Sequence, residues 1–128
     1  MKDPNNPCLF CNIEKSGCAH ENELAYASYD SYPVSKYHCL IIPKRHIKDY
    51  FDLTDQELIA CKELINIVKD EILSKDRTVK GFNFGTNIGK VSGQSIFHCH
   101  MHLILALSLS KNGRYLYKSN QNNYSETV

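Results

Sequence analysis

The run His98-Cys99-His100-Met101-His102 constrains this chain more than any other segment, because imidazole and apolar side chains alternate along it. Successive side chains in a strand point to opposite faces, so a period of two places the three histidines on one face. Cys99, Met101 and Leu103 then lie on the other, where they can enter a core. Same-face neighbours are about 7 Å apart at a rise of roughly 3.3 Å per residue, and the outer two roughly 13 Å apart. One metal ion cannot easily use all three. An adjacent pair could chelate one, or the three could carry separate tasks. A lone histidine is usually a satisfied structural or surface residue. Three on one strand face each need polar partners and each can change charge near neutral pH, which points to function.

The chain has 128 residues and no internal repeat, the size of one domain with a single hydrophobic core. Residues 24–29 are rich in strand formers, and Asp30-Ser31-Tyr32-Pro33 reads as a turn. His38 to Ile42 is a short buried-type strand that stops at Pro43, which cannot donate to a central ladder. The clearest helix begins at Thr54, where Thr54-Asp55-Gln56-Glu57 has the form of a capping box, and should end near Ser74. Leu58, Cys61, Leu64, Ile65, Val68 and Ile72 recur at three- and four-residue steps and predict its apolar stripe. Gly81 to Thr86 reads as a strand with Phe82 and Phe84 on one face; Asn87 to Gly93 is a loop, and Ser95 to Leu105 a final long strand. Strands and helices do not alternate as in a doubly wound fold. The expected class is α+β, a mostly antiparallel β-sheet with one long and one short helix. Residues 1–118 form the expected domain and 119–128 a polar, mobile C-terminal tail.

Net charge is +1, so no global field draws the chain to nucleic acid or to an anionic membrane. An anionic substrate must therefore be held by local donors. Lys44, Arg45 and Lys48 form a short basic cluster that could steer a polyphosphate, although such runs are usually a solvated rim. The N-terminal residues lack the apolar stretch of a secretory signal, and the longest apolar run, Leu103 to Leu107, is too short for a bilayer. A cytoplasmic location follows as the expectation. Thiols stay reduced there, so the six cysteines read as metal ligands or buried hydrophobes. Cys39, Cys61 and Cys99 fall on apolar faces and read as core. Cys8 and Cys11 are spaced to share one tetrahedral zinc, and Cys18 with His20 could complete a purely local site.

The segment Gly93-Gln94-Ser95-Ile96-Phe97-His98-Cys99-His100-Met101-His102-Leu103-Ile104 resembles the motif of the histidine triad family. His38 to His46 is similar to that family's strand-and-proline segment, and the Cys8-x-x-Cys11 pair sits where its zinc-bearing, Hint-like members carry theirs. The resemblance implies nucleotidyl transfer: His100 attacks the α-phosphorus of a nucleoside phosphate derivative, and water releases the mononucleotide. Imidazole suits such a step when its attacking nitrogen is unprotonated and the other nitrogen's proton is held by a polar group. By the same resemblance His38 and His102 support His100 and contact the phosphate side. Asn87, Gly93, Gln94 and Ser95 surround the phosphate and leaving group, with Ser95 donating to the departing atom. Asp30 holds the ribose hydroxyls. His46 and His98 join Cys8 and Cys11 around a closed structural zinc.

The implied substrate is a purine nucleoside 5′-phosphoramidate or a similar adduct, and a homodimer is expected from Hint-like relatives. Dinucleoside polyphosphate hydrolysis, a nucleotide-binding module with little turnover, and a metallohydrolase built on an adjacent triad pair are the competing readings. One departure stands out. Family members place a glycine pair, or a proline with a basic residue, soon after the triad strand, whereas Leu105 to Ser110 follows here without glycine until Gly113.

Overall fold

The computed structural model of the chain describes residues 7–29, 38–109, 115–118 and 124–126. Five strands make one antiparallel sheet: β1 (His20–Glu21), β2 (Ala25–Tyr29), β3 (Cys39–Pro43), β4 (Gly81–Gly85) and β5 (Met101–Ala106). Their spatial order is β1-β2-β3-β5-β4. A short helix, α1 (Ile13–Ser16), precedes the sheet, and a long one, α2 (Asp55–Lys75), joins its two halves. The α+β class with one long and one short helix is thus the observed one. A second antiparallel sheet, β6 (Ser108–Leu109), β7 (Tyr115–Lys118) and β8 (Tyr124–Glu126), follows, and β8 falls inside the segment expected as a polar tail. Among the described residues no helix is long and apolar enough to cross a membrane.

Register divides the large sheet into two working faces. Ala27 pairs with Ile41 and Ile41 with Met101, and this row belongs to the main core beneath α2. One residue along, Ser28 pairs with Leu40 and Leu40 with His102. Alternation turns that second row to the opposite face, where Phe10, Tyr26 and Ile42 form a smaller buried cluster under the N-terminal segment. The centre of the sheet is therefore covered on both sides, by a helix on one and by the Cys8–Ser16 segment on the other.

Helix α2 starts where its cap dictates. The Glu57 amide donates to Thr54 Oγ1 at 3.1 Å, while Glu57 Oε1 accepts from the Thr54 amide at 2.9 Å. Its buried face is Glu57, Ala60, Cys61, Leu64, Val68 and Ile72. The expected stripe is corrected at one end, since Leu58 is 40% exposed and Ala60 takes its place. Glu57 occupies the buried face beside it, its carboxylate held by the Thr54 amide and by a two-pronged ion pair with Arg45, Nε to Oε2 at 3.0 Å and Nη2 to Oε1 at 2.8 Å. With Glu57, Cys61, Leu64, Val68 and Ile72 in one stripe, Leu58 falls at its edge. Leu64 is only 1% exposed in the main core. Its truncation to alanine costs about 2–5 kcal/mol.

The last strand is shorter than the sequence predicts. It begins at Met101, whereas residues 96–98 form a bend and residues 99 and 100 carry no ladder pair. Two local facts explain this. Pro43 has no N–H to give, and its carbonyl is taken by the His98 ring rather than by a backbone amide. The Cys99 amide turns instead to the Ile47 carbonyl at 2.7 Å.

Arg45 hydrogen bonding, opposed by burial, holds the Glu57 carboxyl below the usual carboxylate range. Its stabilisation is present above the ordinary glutamate value and is lost as pH falls through the lowered folded value. Glu57→Gln should lower Tm by a few degrees at neutral pH, and the gap to wild type should close below about pH 4 in thermal melts.

Candidate functional site

Cys8 and Cys11 bracket a single 3-10 turn, Leu9–Cys11. Asn12 closes it, donating its side-chain amide to the Cys8 carbonyl at 3.1 Å and its backbone N–H to the Leu9 carbonyl at 3.0 Å. Buried Tyr26 pins the turn to the sheet by donating to the Phe10 carbonyl at 2.7 Å. Burial raises the Tyr26 phenol to about 12, so it keeps this proton at neutral pH.

The turn carries both thiols to His98. Cys8 Sγ and Cys11 Sγ each lie 3.4 Å from His98 Nδ1, Cys11 Sγ is 3.2 Å from His46 Nδ1, and the two Nδ1 atoms are 3.1 Å apart. All four donor atoms fall within 4.8 Å of one another. Around a tetrahedral zinc, ligand bond lengths of about 2.3 Å to sulfur and 2.0–2.1 Å to nitrogen imply donor separations of roughly 3.3–3.8 Å. Ring chemistry agrees with this geometry. His98 Nε2 meets the Pro43 carbonyl at 2.7 Å, and a carbonyl only accepts, so that nitrogen bears the proton. The lone pair therefore sits on Nδ1, facing the thiols. Burial, helped by the nearby His46 and His100 rings, holds His98 below the usual imidazole range and keeps it neutral. The four side chains fit a closed, four-coordinate metal ion, with the Pro43 carbonyl orienting one ligand from behind.

The local alternative is not formed. Cys18 Sγ donates to the His20 carbonyl at 3.4 Å, and His20 Nε2 pairs with Glu71 Oε2 at 3.0 Å, away from Cys8 and Cys11. Glu71 was the missing partner in that reading, and sequence proximity alone cannot show a contact 51 residues away.

His100 and His102 face a different space. A cavity of about 220 Å³ is lined by both rings, by Ser95, by the apolar Leu9, Phe10, Leu40 and Ile96, and by Lys15, Ser16, Ser28 and Tyr29. His100 Nδ1 lies 2.8 Å from the His98 carbonyl and must donate to it. In the neutral ring Nε2 then carries the lone pair. Phe10 packs edge-on against this ring with centroids 4.9 Å apart, a contact the sequence did not single out. Thr86, also missed, donates to the His100 carbonyl at 2.7 Å and holds the residue beyond the end of the ladder. His102 Nδ1 is 3.2 Å from His38 Nε2, and the His102 ring centroid is 5.3 Å from those of both His38 and His100.

The loop residues take distinct places. Ser95 is exposed at the cavity, and its hydroxyl has no partner among the described residues. Gln94 is 3% exposed and its amide is engaged entirely by backbone. It accepts from Gly89 N at 2.9 Å and donates to the Lys48 and Ile96 carbonyls at 2.8 and 3.1 Å. Its side chain thus braces the loop rather than facing the cavity. Asn87 donates to the Ser92 carbonyl at 2.8 Å, closing the same loop. Gly93 has φ of +103°, and a Cβ there would sit 2.7 Å from Asn87 Nδ2. Asp30 lies outside the described residues.

A sequence profile of the HIT domain matches residues 14–106. The chain is 38% identical over 106 residues to an uncharacterized 16.1 kDa HIT-like protein of Mycoplasma pneumoniae, covering 78% of this chain and 72% of that one. It is 33% identical over 101 residues to an adenosine 5′-monophosphoramidase of Schizosaccharomyces pombe, covering 76% and 72%. The crystal structure of a HIT family protein from Bacillus anthracis superposes with a TM-score of 0.72 at 32% identity, covering 94% of this chain and 87% of that one.

Two outcomes are expected. Cobalt(II) added to the metal-free protein should give the thiolate-to-cobalt absorption of a tetrahedral site; Cys8→Ser with Cys11→Ser should abolish it, and Cys18→Ser should not. Gly93→Ala should cost about 1–2 kcal/mol in denaturant unfolding, because an L side chain is strained at that φ.

Proposed function

The chain belongs to the HIT domain family, and on that premise we propose that it cleaves nucleoside 5′-phosphoramidates, or related adducts, at the α-phosphorus. The observation that carries the reading is the 2.8 Å hydrogen bond from His100 Nδ1 to the His98 carbonyl. It directs the lone pair to Nε2 in a cavity lined also by His102 and Ser95.

In the proposed reaction His100 Nε2 forms a bond to the α-phosphorus. The bond from phosphorus to the leaving nitrogen breaks, and its electron pair stays on that nitrogen, which takes a proton from the Ser95 hydroxyl. Water then attacks the nucleotidyl-imidazole, the bond between phosphorus and Nε2 breaks, and Ser95 regains its proton from that water. His102, braced by His38, donates to the phosphate oxygens. Asn87, Gly93 and Gln94 shape the loop that presents Ser95, and Asp30 is assigned the ribose. The nucleotide is a purine one, the assembly a homodimer and the location cytoplasmic.

Cys8, Cys11, His46 and His98 hold a structural zinc in this reading, as in Hint-like relatives. With four protein donors the site has no open position, so the ion ties the N-terminal turn to the segment bearing His100. Polyphosphate hydrolysis gains no support from the basic cluster. Lys44 is paired with Glu21 at 2.6 Å and Arg45 is engaged with Glu57.

His100→Ala should lower turnover of an adenosine or guanosine phosphoramidate by at least about a thousandfold while mononucleotide binding persists. Quenched wild-type reactions should contain protein heavier by one nucleotidyl group, absent from the variant; undiminished turnover in His100→Ala sinks the assignment. His98→Ala should lose zinc by native mass spectrometry and melt several degrees earlier, whereas His100→Ala should retain both metal and Tm.

A further inference from the structure

The far end of the cavity is polar in a way the chemistry at His100 does not use. There Lys15, Ser16 and Ser28 replace the apolar walls formed by Leu9, Phe10, Leu40 and Ile96, while the Tyr29 hydroxyl is turned away to Glu71 at 2.6 Å. Resting on the reading of this cavity as a nucleotide site, we infer that Ser16, Ser28 and Lys15 select a 6-oxopurine base, guanine or hypoxanthine, over adenine.

Register sets the distance. Ser28, Leu40 and His102 form one cross-strand row on the site face. Adjacent strands are about 4.8 Å apart, so Ser28 lies roughly 10 Å from His102, a span of nucleoside size. A phosphate at His100 and His102 therefore sends its base over Leu40 toward the serines, between Leu9, Phe10 and Ile96.

The protons of the end wall can be assigned one by one. Tyr26 has a single hydroxyl proton, and it goes to the Phe10 carbonyl at 2.7 Å. In the 2.9 Å contact between Ser16 Oγ and Tyr26 Oη the serine must then be the donor. Ser28 Oγ donates to the Ser16 carbonyl at 2.7 Å. Both serine protons are spent on the protein, and both oxygens keep lone pairs. To a base these two groups are acceptors only. Lys15 is the opposite: its ammonium is a pure donor with no side-chain partner among the described residues.

A 6-oxopurine matches that pattern. It offers an N1–H to an acceptor and a carbonyl O6 to a cation, and guanine adds the donors of its 2-amino group. Adenine reverses both positions, setting the N1 lone pair against hydroxyl oxygens and an N6 amine against the ammonium. A site whose polar groups are left unpaired by the wrong ligand discriminates more sharply than an apolar pocket.

Calorimetric titration of His100→Ala with GMP, IMP and AMP tests this without turnover. GMP and IMP should bind about tenfold more tightly than AMP, and wild-type kcat/KM should favour guanosine phosphoramidate over the adenosine compound by a similar factor. Lys15→Met, at an exposed position, should collapse the ratio toward one; Ser28→Ala should weaken GMP more than AMP, with Tm recorded to exclude unfolding. Equal affinities, or tighter AMP, overturn the inference and leave the phosphoramidate reading standing. If none of the three binds, the nucleotide reading itself fails and takes this inference with it.

Discussion

Three contacts of one histidine, two through its ring and one through its backbone carbonyl, organise the site end of this molecule. His98 gives its Nε2 proton to the Pro43 carbonyl, turns Nδ1 toward Cys8, Cys11 and His46, and offers its backbone carbonyl to His100 Nδ1. The first contact ends the ladder between β3 and β5, the second anchors the N-terminal turn, and the third sets the tautomer of the next histidine. His98 is fully buried, so each contact is made where an unmet polar group would be costly. A shift of this ring would disturb all three together. The structural and chemical tasks proposed for different histidines would thus be physically joined.

The parity of the sheet separates core from site. Residues of one parity on β2, β3 and β5 pack under α2, and those of the other parity make the row Ser28–Leu40–His102. A one-residue slip would exchange the two sets, so the apolar packing that fixes register also places the site residues. The N-terminal turn then covers the site face with Phe10 packed against His100. That lid is held by Tyr26 and by the Cys/His cluster, so the site depends on a segment with little regular structure of its own.

Features governed by local chemistry were legible in the sequence. The capping box at Thr54 and Glu57 formed as its spacing predicts, and Cys39, Cys61 and Cys99 are buried. The antiparallel α+β class followed from the order of elements. What the sequence hid depends on long-range partners. Leu58 lost its place in the stripe to Glu57, whose buried carboxylate is paired by Arg45, 12 residues upstream. His20 belongs to Glu71 on α2, and the triad segment leaves the ladder because of Pro43 and Ile47. Gln94 shows the same limit: the family resemblance sets it beside the phosphate, and what the sequence hid is that its amide also braces the loop through the Gly89 amide and the Lys48 and Ile96 carbonyls.

The support behind His100 is a backbone carbonyl, and this choice bears on the kind of chemistry the site can perform. A carboxylate in that position would bring a negative charge and favour the imidazolium, which suits a general base that must hold a proton. A carbonyl orients the ring and fixes its tautomer without adding charge. It leaves a lone pair on Nε2 and favours a group that attacks and later departs as neutral imidazole. His98 can present that carbonyl rigidly only because its own side chain is held at both nitrogens. The proposed division of labour along the histidine run therefore has a physical order: the first ring is immobilised so that its backbone can position the second.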